Sequence, residues 1–166
     1  MKKQLPNTLK GLIQILPQEL KEILFKQWHA KQNPKWHPEG NTLKHILIVL
    51  KRAYKNHSDN PNVILSALFH DLGKLDTYKI KPETGQPTAY GHEDVSADLV
   101  KRFHRWIEDF EGASSDIVYQ VVKNHMKIKP TTWEAMKNSK KEKITSHPSY
   151  TDLTHFGKLD RGGHDI

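Results

Sequence analysis

A histidine beside an aspartate, His70-Asp71, closes the most apolar stretch of the chain, Val63-Ile64-Leu65-Ser66-Ala67-Leu68-Phe69. Burying charge without a partner costs several kcal/mol or more, so such a pair at the end of a core helix implies a cation, and a divalent metal is the economical one. The dipeptide alone is weak: with 11 histidines in 166 residues, roughly 0.7 His-Asp pairs arise by chance. A second pair, His164-Asp165, comes after Gly162-Gly163 without apolar context and reads as noise. Context separates the two.

Four further polar residues, His45, His92, His125 and Asp160, continue apolar helical stripes. Each alone reads equally as a hydrogen-bonded core histidine or a helix-end residue. Six inward imidazoles and carboxylates together do not, because helix backbone groups are already paired internally and cannot satisfy them. The chain has no cysteine, so thiolate sites are excluded, and a nitrogen-oxygen donor set suits Mn, Mg, Ni, Co, Fe or Zn. His45, His70, Asp71 and Asp160 would hold one ion and leave positions for water. If Asp71 bridges, His92 and His125 complete a second site.

Those residues need helices to carry them. Leu9, Leu12, Ile13 and Leu16 predict a short amphipathic lead-in, and Pro17 opens a surface helix over 18–31 that packs Leu20, Ile23, Leu24 and Trp28. After a turn at 33–40, Asn41 or Thr42 caps a helix to Asn56 with His45 in its first turn. Pro61 starts the central helix, and Gly73 is expected to end it in left-handed geometry. Thr77 to Ile80 and Pro87 to Tyr90 flank the turn residues Glu83-Thr84-Gly85-Gln86, a hairpin or an irregular flap. His92 leads a helix with Val95, Leu99, Phe103 and Trp106 as its stripe. His125 continues Val118 and Val121 on a helix over 115–128 that Pro130 is expected to stop. A last helix, near 150–159, aligns Leu153, Phe156 and Asp160.

The reading is an all-α protein of one domain, residues 1–166, with a lead-in at 1–32, motif-bearing segments at 33–130 and 150–161, and a short hairpin or flap after His-Asp. Net charge is +7 and pI about 9.5, which favours polyanionic partners, although surplus lysine also serves solubility. Lys137, Lys140, Lys141 and Lys143 read as a solvated face or as an RNA phosphate contact. Met1-Lys2-Lys3 resembles the start of an export signal, but Pro6, Asn7, Lys10 and Gln14 break up the apolar stretch such a signal needs. No apolar run approaches membrane-spanning length, so no membrane partner is expected and a cytoplasmic location is.

The order His45, His70-Asp71, Asp160 resembles the HD superfamily of metal-dependent phosphohydrolases. The closer similarity is to the HD domain of bacterial tRNA nucleotidyltransferases, the CCA-adding enzymes. It rests on Lys35-Trp36-His37-Pro38-Glu39-Gly40 before His45, on Ala67 to Lys74, on Tyr90-Gly91-His92-Glu93, on Asn124-His125-Met126 and on Asp160-Arg161-Gly162-Gly163. The chain lacks a Gly-Ser loop with a paired Asp-x-Asp, so nucleotide addition to tRNA is not carried over. Gly73-Lys74 stands where stringent-response hydrolases have an acidic pair, and the Gly-Tyr-Pro signature of cyclic-di-GMP phosphodiesterases is absent.

The resemblance implies an all-helical HD fold, one or two divalent ions, and hydrolysis of phosphoesters of nucleotides or RNA ends. The activity would be of 2′,3′-cyclic phosphodiesterase, 2′-nucleotidase or phosphatase type. His70 and Asp71 would then be catalytic. Lys74 would meet the phosphate or else complement a helix dipole, with Arg161 a second phosphate cation. His37 or Glu39 would orient ligands or the leaving group. A nucleoside 5′-monophosphatase or triphosphohydrolase is the enzymatic alternative, and a non-catalytic, basic RNA-binding module with a structural metal is the other.

Overall fold

The computed structural model describes residues 1–162; Gly163 and the His164-Asp165 pair lie outside the described residues. In chain order the helices and strands are α1 (Leu9–Ile15), α2 (Gln18–Lys26), α3 (Thr42–Asn56), α4 (Pro61–Phe69), β1 (Lys79–Ile80), β2 (Pro87–Thr88), α5 (His92–Arg102), α6 (His104–Glu108), α7 (Ser115–Asn124), α8 (Pro130–Ala135), α9 (Asn138–Ser146) and α10 (Tyr150–Arg161). The fold is therefore all-α with one small hairpin. β1 and β2 pair antiparallel, Lys79 opposite Thr88 and Ile80 opposite Pro87. No described helix is long and apolar enough to cross a membrane.

α4 is the axis. Asn60 caps it by accepting from the Val63 amide at 3.2 Å, and Pro61 fills the first turn, where its missing N–H costs nothing. Every residue from Asn62 to Phe69 is buried, so the helix has no solvent face. α3, α5, α7 and α10 pack around it. One hydrophobic cluster runs from Leu12, Leu20 and Leu24 of the first two helices through α4 to Phe156 and Leu159 of α10. A rigid surround of this kind is what holds polar groups in place at the ends of α4.

Several sequence expectations are corrected. Gly73 does not take a left-handed conformation; the glycines with positive φ are Gly40, Gly85, Gly91 and Gly112. Gly73 is needed for close approach instead, because a Cβ there would stand 2.5 Å from the His92 carbonyl oxygen and 2.8 Å from Val95 Cβ. Its amide donates to Ser96 Oγ at 2.8 Å, which ties the turn after His70-Asp71 to α5. Pro130 starts α8 rather than stopping α7, which has already ended at Asn124. The stripe after His92 is split at Phe103 into α5 and α6, so Leu99 and Trp106 are only partly buried.

α2 stops at Lys26 and tightens into a 3₁₀ turn, Gln27–His29. At three residues per turn the stripe rotates, leaving Trp28 53% exposed while Gln27 turns inward. Gln27 Nε2 donates to the Leu72 carbonyl at 3.0 Å, and its Oε1 accepts from the Leu75 amide at 3.3 Å. That side-chain amide clamps the other side of the same turn.

Candidate metal centre

Five helix ends meet at one cleft of about 440 Å³. His45 comes from the first turn of α3 and His92 is the first residue of α5. His70 and His125 cap the C-termini of α4 and α7, and Asp160 lies in the last turn of α10. Three C-termini with partial negative charge and two N-termini with partial positive charge gather here, so the helix dipoles largely offset and the carboxylates set the sign of the site. All six sequence-predicted donors are brought together here, drawn from positions 45 to 160.

The orientation of each ring is fixed from behind. The Nδ1–H groups of His70, His92 and His125 donate to the carbonyls of Ala67, Ala89 and Val122 at 2.8, 2.9 and 2.5 Å. His45 Nδ1 donates to Glu39 Oε1 at 2.6 Å. A carbonyl can only accept, so in the neutral rings Nε2 must be a lone pair, and all four lone pairs face inward.

Asp71 divides its oxygens between two sets of rings. Oδ2 lies 3.2 Å from His70 Nε2 and 3.6 Å from His45 Nε2. Oδ1 lies 3.1 Å from His92 Nε2 and 3.5 Å from His125 Nε2. Asp160 Oδ1 joins the first set at 2.9 Å from His45 and 3.6 Å from His70. Among the described residues these six donors form two groups of three, His45/His70/Asp160 and Asp71/His92/His125, and His37/Glu39/His45 forms a third behind the first, each with its ligand atoms within 4.8 Å of one another. Phe156 closes the floor, 4.9 Å from the His70 ring and 6.0 Å from that of His125.

The donor set fits a cation. Ligands about 2.1 Å from an ion stand about 3.0 Å apart in an octahedron and about 3.4 Å apart in a tetrahedron. The cross-distances here run from 2.9 to 3.6 Å. His92 Nε2 faces His125 Nε2 at 3.2 Å, acceptor to acceptor, which is repulsive without positive charge between them. His70 Nε2 is fully buried and has no hydrogen-bond partner. A buried orphan of that kind is costly unless a metal or a proton fills the gap.

Electrostatics agree. Burial works against a charged His70, but Asp71 and Asp160 outweigh it and raise the ring to about 10. His45 is likewise raised despite its burial, through Asp160 and Glu39. Burial pushes up the carboxyls of Asp71 and Asp160, yet the neighbouring imidazoles, and Lys74 for Asp71, hold both well below the usual range. Burial lowers His125, reinforced by His92 and His70. Without metal, the two carboxylates thus recruit protons as their cation.

Of the other sequence-predicted residues, Lys74 stands over Asp71, Nζ 3.1 Å from Oδ2, and donates to Gln32 Oε1 at 2.5 Å. His37 lines the cleft, and its Nδ1 lies 3.2 Å from Glu39 Oε1. Glu39 therefore connects His37 to His45. Arg161 is exposed and does not line the cleft; its guanidinium folds back along α10 near Gly157. Within the lysine-rich segment, Lys140 and Lys143 line a separate groove of about 760 Å³ beside α7.

Sequence reasoning missed Gln27 and Gln32. Gln32 is buried in the cleft wall, fixing Lys74 with its carbonyl while its Nε2 has no partner. Two glutamines on the 3₁₀ turn and the strand-like residues after it carry no periodic signal. Only their burial in the folded chain marks them.

Comparison with known proteins adds a family. The HD domain family matches residues 42–153, a span that includes His45, His70, Asp71, His92 and His125. Curated relatives named Multifunctional CCA protein are similar over about half the chain. That of Shewanella denitrificans is 37% identical over 86 residues, 49% of this chain and 20% of that protein. That of Thioalkalivibrio sulfidiphilus is 37% identical over 90 residues, 54% and 20% respectively, and that of Shewanella frigidimarina 41% over 84, 48% and 19%. The chain spans about a fifth of the length of these relatives. No solved structure gives a significant match.

Proposed function

The chain belongs to the HD domain family, a superfamily of metal-dependent phosphohydrolase type, and from that premise we propose that it hydrolyses phosphoesters of nucleotides or RNA ends. The activity is of 2′,3′-cyclic phosphodiesterase, 2′-nucleotidase or phosphatase type. One observation carries the reading: four imidazole Nε2 atoms and two carboxylates converge at the floor of an open cleft, with Asp71 shared between the two donor groups. The nucleotide and RNA side of it is supported by the relatives named Multifunctional CCA protein.

In this reading His45, His70, Asp71 and Asp160 would hold one divalent ion, and Asp71 with His92 and His125 would hold a second. Such an ion, when bound, lowers the pKa of water and offsets charge on phosphoryl oxygens. The protein's own part is positioning. The hydrogen bonds behind the four imidazoles hold their Nε2 atoms aimed inward, and Phe156 packs against the His70 and His125 rings. Lys74, fixed between Asp71 and Gln32, presents a cation to the phosphate. Asp160, the most accessible of the donors, completes the first set with its carboxylate oxygen.

The test is metal content and turnover of Asp71→Ala beside the wild type. Protein loaded with Mg, Mn, Co, Ni or Zn is assayed on 2′,3′-cyclic, 2′, 3′ and 5′ nucleotides. The variant should lose bound metal and turnover together, and retained hydrolysis would refute the reading. Preference for 5′-mono- or triphosphates would instead establish the other enzymatic class. The groove that Lys123, Lys127, Lys140 and Lys143 line beside α7 favours one further reading, an RNA-binding module with a structural metal. That module would bind RNA and hydrolyse nothing with any ion.

A further inference from the structure

Single exposed apolar side chains are ordinary, but aromatic ones lining a cleft point to a ligand. Among the described residues, two of these line the cleft above the donor cluster: Trp36, 56% exposed, and Tyr90, 74% exposed. Neither sits on a loose segment. Trp36 lies in a turn closed by amide bonds from Trp36 and His37 to the Asn33 carbonyl, at 3.1 and 2.9 Å. The turn is tied off where Gln32 bonds the Gly40 carbonyl and Lys31 bridges to Asn41. Tyr90 is held between the hairpin and His92, at the point where Gly91, with φ +81°, turns the chain into α5.

Each ring has a lysine over it. Lys35 Nζ stands 4.9 Å from the Trp36 centroid and Lys81 Nζ 5.4 Å from that of Tyr90. A ring has two faces, so one stays available to a flat partner. Lys31, Lys81 and Lys129 line the same cleft. Aromatic platforms interleaved with lysines recognise nucleic-acid strands and nucleotides, the rings stacking bases and the lysines meeting phosphates. A cleft of about 440 Å³ falls in the range of small-ligand sites, roughly 300–1,000 Å³.

The geometry points to a nucleobase subsite formed by Trp36 and Tyr90 on the rim of the cleft, so that the molecule presented to the donor cluster is a nucleoside phosphate, free or at the end of a strand. This rests on the phosphohydrolase reading and narrows its substrate: the base, and not the sugar phosphate alone, supplies binding. The two aromatics come from separate segments, one before α3 and one before α5. Both sit close in sequence to cluster residues, Trp36 near Glu39 and Tyr90 near His92.

The test compares three substrates bearing the same cyclic phosphate on the metal-loaded full chain. They are a nucleoside 2′,3′-cyclic phosphate, a short RNA ending in one, and methyl riboside 2,3-cyclic phosphate, which lacks the base. Trp36→Ala and Tyr90→Ala should each lower the ratio of kcat/KM on base-bearing over base-free substrate about tenfold. The loss should fall in KM, and Trp36→Phe and Tyr90→Phe should restore most of the ratio. Whichever of the two base-bearing substrates loses more identifies the source, free nucleotide or strand end. Equal losses on all three substrates, or no loss, would overturn the subsite.

A second measurement needs no turnover. Adenosine 3′-monophosphate added to metal-free protein should quench tryptophan fluorescence, and Trp36→Phe should abolish that response. Wild type that hydrolyses none of the three substrates refutes the phosphohydrolase reading, and the quenching then decides the subsite by itself. Absent quenching in the wild type counts against it.

Discussion

α7 carries polar residues into two concave regions that are built in different ways. At its C-terminal end His125 enters the cluster floor, fully enclosed, its Nδ1 fixed by the Val122 carbonyl and its Nε2 facing Asp71. Along its side Lys123, with Lys127, Lys140 and Lys143, lines the larger groove toward α8 and α9. There the contacts are local. Lys123 donates to Tyr119 at 3.2 Å and Lys127 to Asn124 at 3.2 Å, both within one helical turn. In the cluster the backbone bonds behind His70, His92 and His125 are local too, but every Nε2 faces a carboxylate of another segment, so charge state depends on the whole fold. In the groove the charges are solvated and any one can be removed cheaply. Chemistry needs the first kind of construction; attraction of a polyanion needs only the second.

The sharpest way to break that contrast is at Glu39, which does not line the cleft yet accepts a hydrogen bond from His45 Nδ1 at 2.6 Å. Glu39→Gln keeps the shape and removes the charge, so affinity for a divalent ion should fall about 10–100-fold. Turnover should return at saturating metal. A metal titration checks this, and an unchanged dissociation constant would mean that the ring needs no carboxylate behind it. Close approach provides the next test. Gly73→Ala places a methyl 2.5 Å from the His92 carbonyl. Separation of α5 from the His70-Asp71 turn should cost about 1–3 kcal/mol, with metal affinity falling alongside Tm. Loss of one without the other would separate packing from site geometry.

Protonation offers a third test, with opposite signs on either side of pH 6.5. His70 is raised to about 10 and His45 is raised, so their stabilising protons are in place below pH 6.5 and are lost as pH climbs toward 10. His125 and His37 are lowered by burial, so they oppose folding as pH falls below 6.5. Metal-free protein should therefore be most stable near pH 6.5 and lose about 5 °C or more of Tm by pH 10. A bound divalent ion takes over from the His70 proton and should flatten the alkaline side. Thermal scans with and without chelator measure it; a metal-free Tm that rises with pH would contradict the assignment of His70 as the proton holder.

How much of the fold and site was legible in the sequence depends on how each residue is carried. His92, His125 and Asp160 continue helical stripes whose apolar members announce which side is inward, and His45 lies beside one, so periodicity marks them as inward-facing while the resemblance groups them. The same periodicity explains the failure at Arg161. Consecutive helical residues point about 100° apart, so with Asp160 turned inward its neighbour must turn away. Gly73 was misread because glycine permits both left-handed backbone and close packing, and sequence cannot say which is in use. Gln27, Gln32 and Glu39 act from a 3₁₀ turn and loops, where no repeat relates residue type to direction. The lead-in helices, the hairpin and the buried α4 came through because caps, prolines and turn residues bound them locally.

The smallest effect belongs to the lysine groove, and it decides whether that region serves the cluster. Lys140 and Lys143 are exposed and face the groove with Lys123 and Lys127. Two positive charges removed from a solvated surface leave the fold intact, so Lys140→Ala with Lys143→Ala should not shift Tm by more than about a degree or two. If the groove holds phosphates, RNA affinity should drop a few-fold at moderate salt. The plot of log affinity against log salt should also become shallower by about one for each lost contact. Because the term is one of charge and not of orientation, Lys140→Arg with Lys143→Arg should keep the slope, whereas no comparable swap would be tolerated at His70 or Asp71. An unchanged slope in the alanine pair would make Lys140 and Lys143 a solubility feature and not a phosphate contact.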